Sequence, residues 1–200
     1  MQLTLATRNP HKVSELQSML SGHFTVVPLP VESFPYDLEE NGNDLFENSL
    51  EKATYIHSIL NQPCLADDSG LEIDALNGDP GVHSANYCGT RDSEENIKKV
   101  LHKLHFFRGQ GKRTARFRTV LTYIDSLGAA TQYTGTVEGE IALRPEGTNG
   151  FGYDSIFIPL GHSQTFALMS DDEKSAISHR AVAIKAFLAA LGSPNSAPTP

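Results

Sequence analysis

The sequence predicts an α/β fold, and three features point to it. Residues 2–29 run strand, turn, helix, strand, which is how an α/β unit begins. Several later segments repeat apolar residues at helical spacing. Residues 114–125 and 131–143 each alternate apolar and polar side chains around Gly128, which predicts a long hairpin.

The elements follow in order. Residues 2–6 (QLTLA) read as a strand and 7–12 (TRNPHK) as a loop. A helix follows to about Leu20, with Val13, Leu16 and Leu20 on one face and Gly22 at its stop. Residues 25–29 form a second strand, closed by Pro28 and Pro30. Residues 31–51 carry seven acids and no base. Asp44 is placed to cap a long helix, with Glu47 at its third position as in a capping box. Phe46, Leu50, Ala53, His57 and Leu60 form the predicted apolar stripe, and Pro63 ends the helix region. Residues 64–66 are a brief strand running into Asp67-Asp68-Ser69-Gly70, and a second strand continues from Leu71 to about Leu76. Residues 77–81 (NGDPG) are a turn cluster. Ser93 opens a helix buried along Ile97, Val100, Leu101 and Leu104. Ala115, Phe117, Thr119, Leu121 and Tyr123 share one face of the hairpin's first arm. Residues 147–154 (GTNGFGYD) are glycine-rich, and 155–158 read as a strand. Ser170 starts a helical region, with Glu173 completing a second capping box and Ile177, Ala181, Ile184, Leu188 and Leu191 as its stripe. Residues 193–200 hold three prolines and read as a disordered tail, which leaves 1–192 as one domain.

Composition narrows the function. The 200 residues carry 24 acids against 16 Lys and Arg, a net charge of −8, which argues against a general nucleic-acid binder. No apolar run approaches the ~20 residues of a membrane span, and the first residues lack the pattern of a signal peptide. Two cysteines, Cys64 and Cys88, make neither a disulfide framework nor a zinc set, so a reduced cytoplasmic compartment is expected. Half of the Lys and Arg falls between Lys98 and Arg118. This block is read as a solvated helix face plus the polar side of an edge strand; a nucleic-acid surface or a steering patch for a polyanion is the alternative.

Four segments could carry chemistry. Carboxylates at a strand end, as in Asp67-Asp68-Ser69-Gly70, suit Mg²⁺ or proton transfer from water, and a turn with solvated acids is the other reading. The loop Thr7-Arg8-Asn9-Pro10-His11-Lys12 precedes a helix, where backbone N–H groups and a lysine suit phosphate; it is not a Walker A loop, and a plain helix cap is the other reading. In GTNGFGYD, glycine lets backbone approach a ligand, Phe151 and Tyr153 could stack on a base, and Asp154 adds a carboxylate. A flexible connector explains it as well. Lys174, Ser178, His179 and Arg180 sit at the start of the last helix, where cations are unusual, so either an anionic or keto-bearing ligand meets them or they form a solvated face.

Taken together, the segments resemble the inosine triphosphate pyrophosphatase family, from Leu3 to about Leu191. The resemblance rests on Thr7-x-Asn9-x-x-Lys12, Glu47-Asn48 with Lys52, Ala66-Asp67-Asp68-Ser69-Gly70-Leu71, Pro80-Gly81 with Ser84-Ala85, Gly150-Phe151-Gly152-Tyr153-Asp154, and Glu173-Lys174-Ser175 with Ser178-His179-Arg180. It implies an elongated mixed central sheet flanked by helices, two lobes with a cleft between them, and a homodimer. It implies Mg²⁺-dependent hydrolysis of ITP, dITP and XTP to the monophosphate and pyrophosphate. Carried over by position, Thr7, Arg8, Asn9, Lys12 and Lys52 would hold the triphosphate. Glu40 and Asp68 would bind Mg²⁺, with Asp67 in support. Asp68 would be the catalytic proton acceptor, and Ser69 would touch substrate. Phe151, Gly152, Tyr153 and Asp154 would form the nucleotide pocket, with Phe151 stacked on the purine. Lys174, His179 and Arg180 would read the base. Two positions depart from the family pattern: Arg8 replaces a small or amide residue, and Asn86 replaces an arginine after Ser-Ala. Two other functions compete: a pyrophosphatase for other modified nucleotides, and a binding module that hydrolyses nothing.

Overall fold

The computed structural model describes residues 1–30, 33–34, 40–109 and 111–192; the predicted tail at 193–200 and Glu32, Asp37 and Glu39 of the acidic run lie outside these. The elements are β1 (Gln2–Leu5), α1 (Pro10–Leu20), β2 (Thr25–Val27), α2 (Leu45–Leu60), β3 (Cys64–Ile73), β4 (Pro80–Gly81), α3 (Ser93–Lys103), β5 (Thr114–Ile124), β6 (Ala130–Ile141), β7 (Phe157–Pro159), α4 (Asp171–Ile177) and α5 (His179–Gly192). Among the described residues they build one mixed sheet, β2-β1-β3-β5-β6-β7, with β4 beside β3. β1 runs parallel to β2 and β3, and the remaining pairs are antiparallel.

β3 is continuous, which corrects the expectation of two short strands with the acids at a strand end. Asp67-Asp68-Ser69-Gly70 pairs residue for residue with Arg118–Leu121 of β5, so the neighbouring strand holds the polar residues in extended form. The chain leaves strand geometry after Ile73 and makes a 3₁₀ turn over Asp74–Leu76. Side chains alternate across a strand, and the partners of β3 follow that rule. Its even positions Cys64 and Ala66 join Ala53 and Ile56 of α2 in one apolar cluster. On the opposite face, Leu65 packs with Leu121, Tyr123, Leu16 of α1 and Phe187 of α5. Further along that same face, Leu71, Ile73, Ala115 and Phe117 pack with Val100 of α3 and with Phe157 and Phe166. Between these two cores, the same face presents Asp67 and Thr119, both buried, and the half-buried Ser69. This polar belt separates the two apolar clusters on that face.

The helices show what amphipathic spacing resolves and what it does not. Asn9 caps α1, accepting from His11 and Lys12 N–H at 3.0 and 3.3 Å. Asp44 caps α2, but the Glu47 carboxylate accepts from Asn43 instead of closing a box on Asp44. The buried face of α2 is Leu45, Asn48, Ser49, Lys52, Ala53 and Ile56, while Phe46 and Leu50 are exposed, so the predicted stripe is rotated by about one residue. The cause is that α2 turns polar groups inward: Ser49 and Thr122 share a hydrogen bond of 2.8 Å. The predicted last helix is two helices. Ser170 and Glu173 form the capping box of α4, and the chain breaks at Ser178 before α5. The buried side of α5 runs through His179, Arg180, Ala183, Ile184 and Phe187, and Leu191 is exposed. Residues 154–156 form a 3₁₀ turn, so the expected strand at 155–158 begins only at Phe157. Gly135 fixes how closely α5 approaches the sheet: a Cβ there would lie 2.0 Å from the His179 carbonyl oxygen.

β5 is an interior strand, not an edge. Seven of the eight cations of 98–118 are committed along it and beside it. Lys98, Lys103, Arg116 and Arg118 pair with carboxylates. Lys99, Arg108 and Arg113 donate to backbone carbonyls. Cys64 and Cys88 are both free thiols, and burial pushes Cys64 up to about 11. Among the described residues, no helix is long and apolar enough to cross a membrane.

Candidate active site

A cleft of about 200 Å³ opens over the polar belt. Its lining includes Asn9, Lys12, Glu40, Asp68, Ser69, Phe151, Gly152, Tyr153, Asp154, Lys174, His179 and Arg180, so the structure brings together most of the residues the sequence pattern selects. Lys52 does not line it but lies directly behind Asp68 and Glu40. Thr7 and Arg8 do not line it either: the Thr7 hydroxyl accepts from Asn9 N–H at 3.3 Å and shapes the turn.

The floor follows from strand topology. β1 stops pairing with β3 at Leu65, and β4 pairs only with Leu71 and Glu72, so the edge of β3 between them is open to other donors. Lys12 from α1 and Lys52 from α2 fill it, donating to the Asp67 carbonyl at 3.3 and 3.1 Å.

Adjacent acids serve opposite faces. Asp67 meets α1 and α5: Lys12 at 2.5 Å and Arg180 Nε at 2.8 Å. Burial pushes Asp67 up, but Arg180 and Lys12 overcome it and hold the carboxyl well below its ordinary range. Asp68 meets α2: it contacts the Lys52 ammonium, which also reaches Glu40 at 2.9 Å. Burial raises Asp68, Lys52 and Lys12 offset this in part, and the Glu40 charge adds to the rise. Two carboxylates thus face one cation position. Mg²⁺ commonly takes one or two protein carboxylates and completes its shell with water and phosphate, so this donor set suits it. Among the described residues no cluster of three or more His, Cys, Asp or Glu forms a fuller metal cage.

The far end of the cleft is a second ionic group. Lys174 donates to Glu15 and Asp154, each at 2.7 Å, and Arg180 also contacts Glu15. Burial acts against the Lys174 charge, yet Asp154 and Glu15 raise its affinity for the proton. Arg180 gives a further bond to Ser69 Oγ at 3.1 Å. His179 stacks on Phe117 with ring centres 4.7 Å apart, and its Nδ1 is buried with no hydrogen-bond partner. Burial, reinforced by Arg180, holds its imidazole well below the ordinary histidine range, so it is neutral.

Three contributors lacked a role in the sequence reading. Glu15 orients both Lys174 and Arg180; its signal was its place three residues after Lys12, on the same side of α1. Asn48 sits 3.5 Å from Asp68 and also accepts from Gly42 N–H at 2.8 Å. Arg91 lines the cleft from the segment before α3, and no local pattern marks it.

The chain is similar to known proteins over nearly its whole length. The profile of the Ham1 family matches residues 3–190. The chain is 41% identical over 189 residues to a dITP/XTP pyrophosphatase of Christiangramia forsetii, covering 94% of this chain and 97% of that one. It is 44% identical over 184 residues to the protein of that name from Bacillus subtilis, covering 90% and 92%. The Ham1 protein of Staphylococcus aureus superposes with a TM-score of 0.83 at 37% identity, covering 96% of this chain and 98% of that one. A nucleoside-triphosphatase, also named dITP/XTP pyrophosphatase, from Mycobacterium abscessus gives 0.75 at 35% identity, covering 96% and 100%. A profile spanning nearly the whole chain, and relatives of this identity that match almost end to end, leave one assignment: this chain belongs to the Ham1 family.

Proposed function

We propose that this chain hydrolyses aberrant purine nucleoside triphosphates, ITP, dITP and XTP, to the monophosphate and pyrophosphate with Mg²⁺ as cofactor. The observation that carries the reading is the polar belt itself. It places a paired carboxylate–ammonium group at one end of the cleft, and at the other a set of cations fixed by carboxylates. The names of the relatives support the substrate class.

Lys12, Lys52, Arg91, Lys174 and Arg180 are matched by Glu15, Glu40, Asp67, Asp68 and Asp154, which leaves no surplus positive charge for a triphosphate. Mg²⁺, held by Glu40 and Asp68, would supply that surplus and stabilise charge on the leaving pyrophosphate. Lys12 lines the cleft and binds phosphate oxygens, while Lys52 behind it holds the carboxylates of Asp68 and Glu40. Asp68 orients a water and takes its proton as the water oxygen bonds to phosphorus and the α–β anhydride bond breaks. A carboxyl raised by burial is a better base for this than a solvated one.

Base selection follows from counting donors. Lys174 has three protons and gives two to Glu15 and Asp154, leaving one for a ligand. Arg180 spends most of its donors on Asp67, Glu15 and Ser69, so it acts chiefly by holding the pocket's charge and shape. A keto oxygen at the purine 6-position accepts from these donors, whereas an adenine amino group leaves them unpaired, which is costly in a buried site.

The same reading includes a homodimer in the cytoplasm and no nucleic-acid partner; light scattering tests the first. The direct test incubates the protein and Mg²⁺ with ITP, XTP, GTP, ATP and dTTP and identifies products by chromatography. IMP and pyrophosphate from ITP, with ATP and GTP much slower, support the reading. IDP and orthophosphate would move the cleaved bond and overturn it.

A further inference from the structure

Phe151 stands in the wall between two cavities. One is the cleft, and the other, of about 290 Å³, lies behind it and is lined in part by His11, Glu15 and Ser175. Phe151 and Lys174 line both, while His11 lines only the second. The imidazole of His11 lies parallel to the Phe151 ring, with centres 5.0 Å apart and planes 12° apart. His11 therefore backs the phenyl ring on the side away from the cleft.

The rest of Phe151 is held differently. Its N–H donates to Asp154 Oδ2 at 2.8 Å. Gly150 allows this because it adopts φ +73°, and a Cβ there would meet the same carboxylate oxygen at 2.1 Å. Asp154 thus fixes the backbone; the ring meets His11 as its one aromatic neighbour, with the Lys174 ammonium and the Arg180 guanidinium 5.1 and 5.8 Å from its centre. His11 in turn sits at the start of α1, where the Asn9 side chain accepts the N–H groups of both His11 and Lys12. One capped turn presents a cation to the cleft and an aromatic support to the ring behind it.

Resting on the function proposed above, we propose that His11 is a positioning residue that sets Phe151 as the stacking platform for the purine and ties base binding to the turn that carries Lys12. Aromatic pairs of this geometry contribute on a scale equivalent to about three- to tenfold in binding. His11 is exposed, so its replacement leaves the core untouched.

The test uses the intact protein with Mg²⁺ and compares His11→Ala, His11→Leu and His11→Phe with the parent, after thermal melts confirm folding. KM and kcat are measured with ITP, and inorganic tripolyphosphate serves as a base-free competitor. The expected result is a KM for ITP raised about three- to tenfold in the Ala and Leu variants. With it go a kcat within about twofold, an unchanged inhibition constant for tripolyphosphate, and recovery in His11→Phe. Unchanged KM in both non-aromatic variants overturns the proposal. So does a parallel loss of tripolyphosphate binding, which would assign His11 to the phosphate turn alone. If the parent protein does not turn over ITP, the functional reading fails first, and the control identifies it.

Discussion

Lys12 and Lys52 donate to one and the same oxygen, the Asp67 carbonyl, from helices on opposite faces of the sheet. Their side chains then part company: Lys12 pairs with Asp67 and Lys52 with Asp68. Both ammonium groups are drawn to the open stretch of the β3 edge, and that convergence makes the floor of the cleft. Replacing Lys52 with Met removes the cation shared by Glu40 and Asp68, so kcat/KM for ITP should fall by about two orders of magnitude. Lys12→Met should cost less, because Lys12 is the more exposed of the two. Steady-state kinetics on both variants and the double variant check this, and the losses should not add.

The adjacent acids should separate cleanly. Asp67→Asn leaves the buried Arg180 short of its counter-charge, which costs about 3–5 kcal/mol of stability. Asp68→Asn leaves Lys52 still paired with Glu40, so the fold should survive while turnover drops by about two orders of magnitude or more. Denaturant melts and kcat are the measurements. A stable Asp67→Asn protein or a fully active Asp68→Asn protein would contradict the assignment.

His179 makes stability depend on pH. Its folded-state affinity for protons lies below that of the unfolded chain, whose histidines titrate near 6.5. The unfolded state therefore binds the extra proton as pH falls, and the contribution present above about 6.5 is lost below it at about 1.4 kcal/mol per pH unit. His179→Phe keeps an aromatic ring against Phe117 and removes the titration. Followed from pH 7.5 to 5, the unfolding free energy of His179→Phe should fall less steeply than that of the parent below about pH 6.5, by about 1.4 kcal/mol per pH unit.

Base preference should track Lys174. Lys174→Met removes one free donor while Arg180 keeps Asp67 and Glu15 neutralised, so the ratio of kcat/KM for ITP over ATP should fall about tenfold. Glu15→Gln should move the same ratio in the same direction, because it releases both cations it holds. An unchanged ratio in both variants would remove Lys174 from base selection.

Gly135→Ala tests how α5 is seated. A Cβ at that position overlaps the His179 carbonyl, so the helix must shift, at a cost of about 1–3 kcal/mol. Since α5 begins with His179 and Arg180, activity should fall along with the melting temperature.

What could be read from the sequence divides along a physical line. The β5–β6 hairpin, α1 and α3 were legible because their apolar residues face a core at the expected period. α2 was misread by a residue because its inner face carries Asn48, Ser49 and Lys52, which periodicity counts as outward. The Asp67-Asp68 pair looked like a turn for the same reason: acids inside a buried strand are intelligible only once Arg180 and Lys52 are seen beside them. The residues of the cleft were recognisable as a set of motifs. Their mutual wiring was not, since Glu15 finds its partners 159 and 165 residues away.

That distance has a consequence for the chain as it is made. Lys174 and Arg180 belong to the last helices, yet they neutralise acids laid down at the start and middle, Glu15, Asp67 and Asp154. At roughly 5–20 residues per second, Glu15 waits about 8 to 32 seconds for Lys174 to be made, and Asp154 about one to four. Until α4 and α5 emerge, Glu15 and Asp154 stand without the cations that later neutralise them. A chain cut short before residue 174 would carry that unbalanced charge for good.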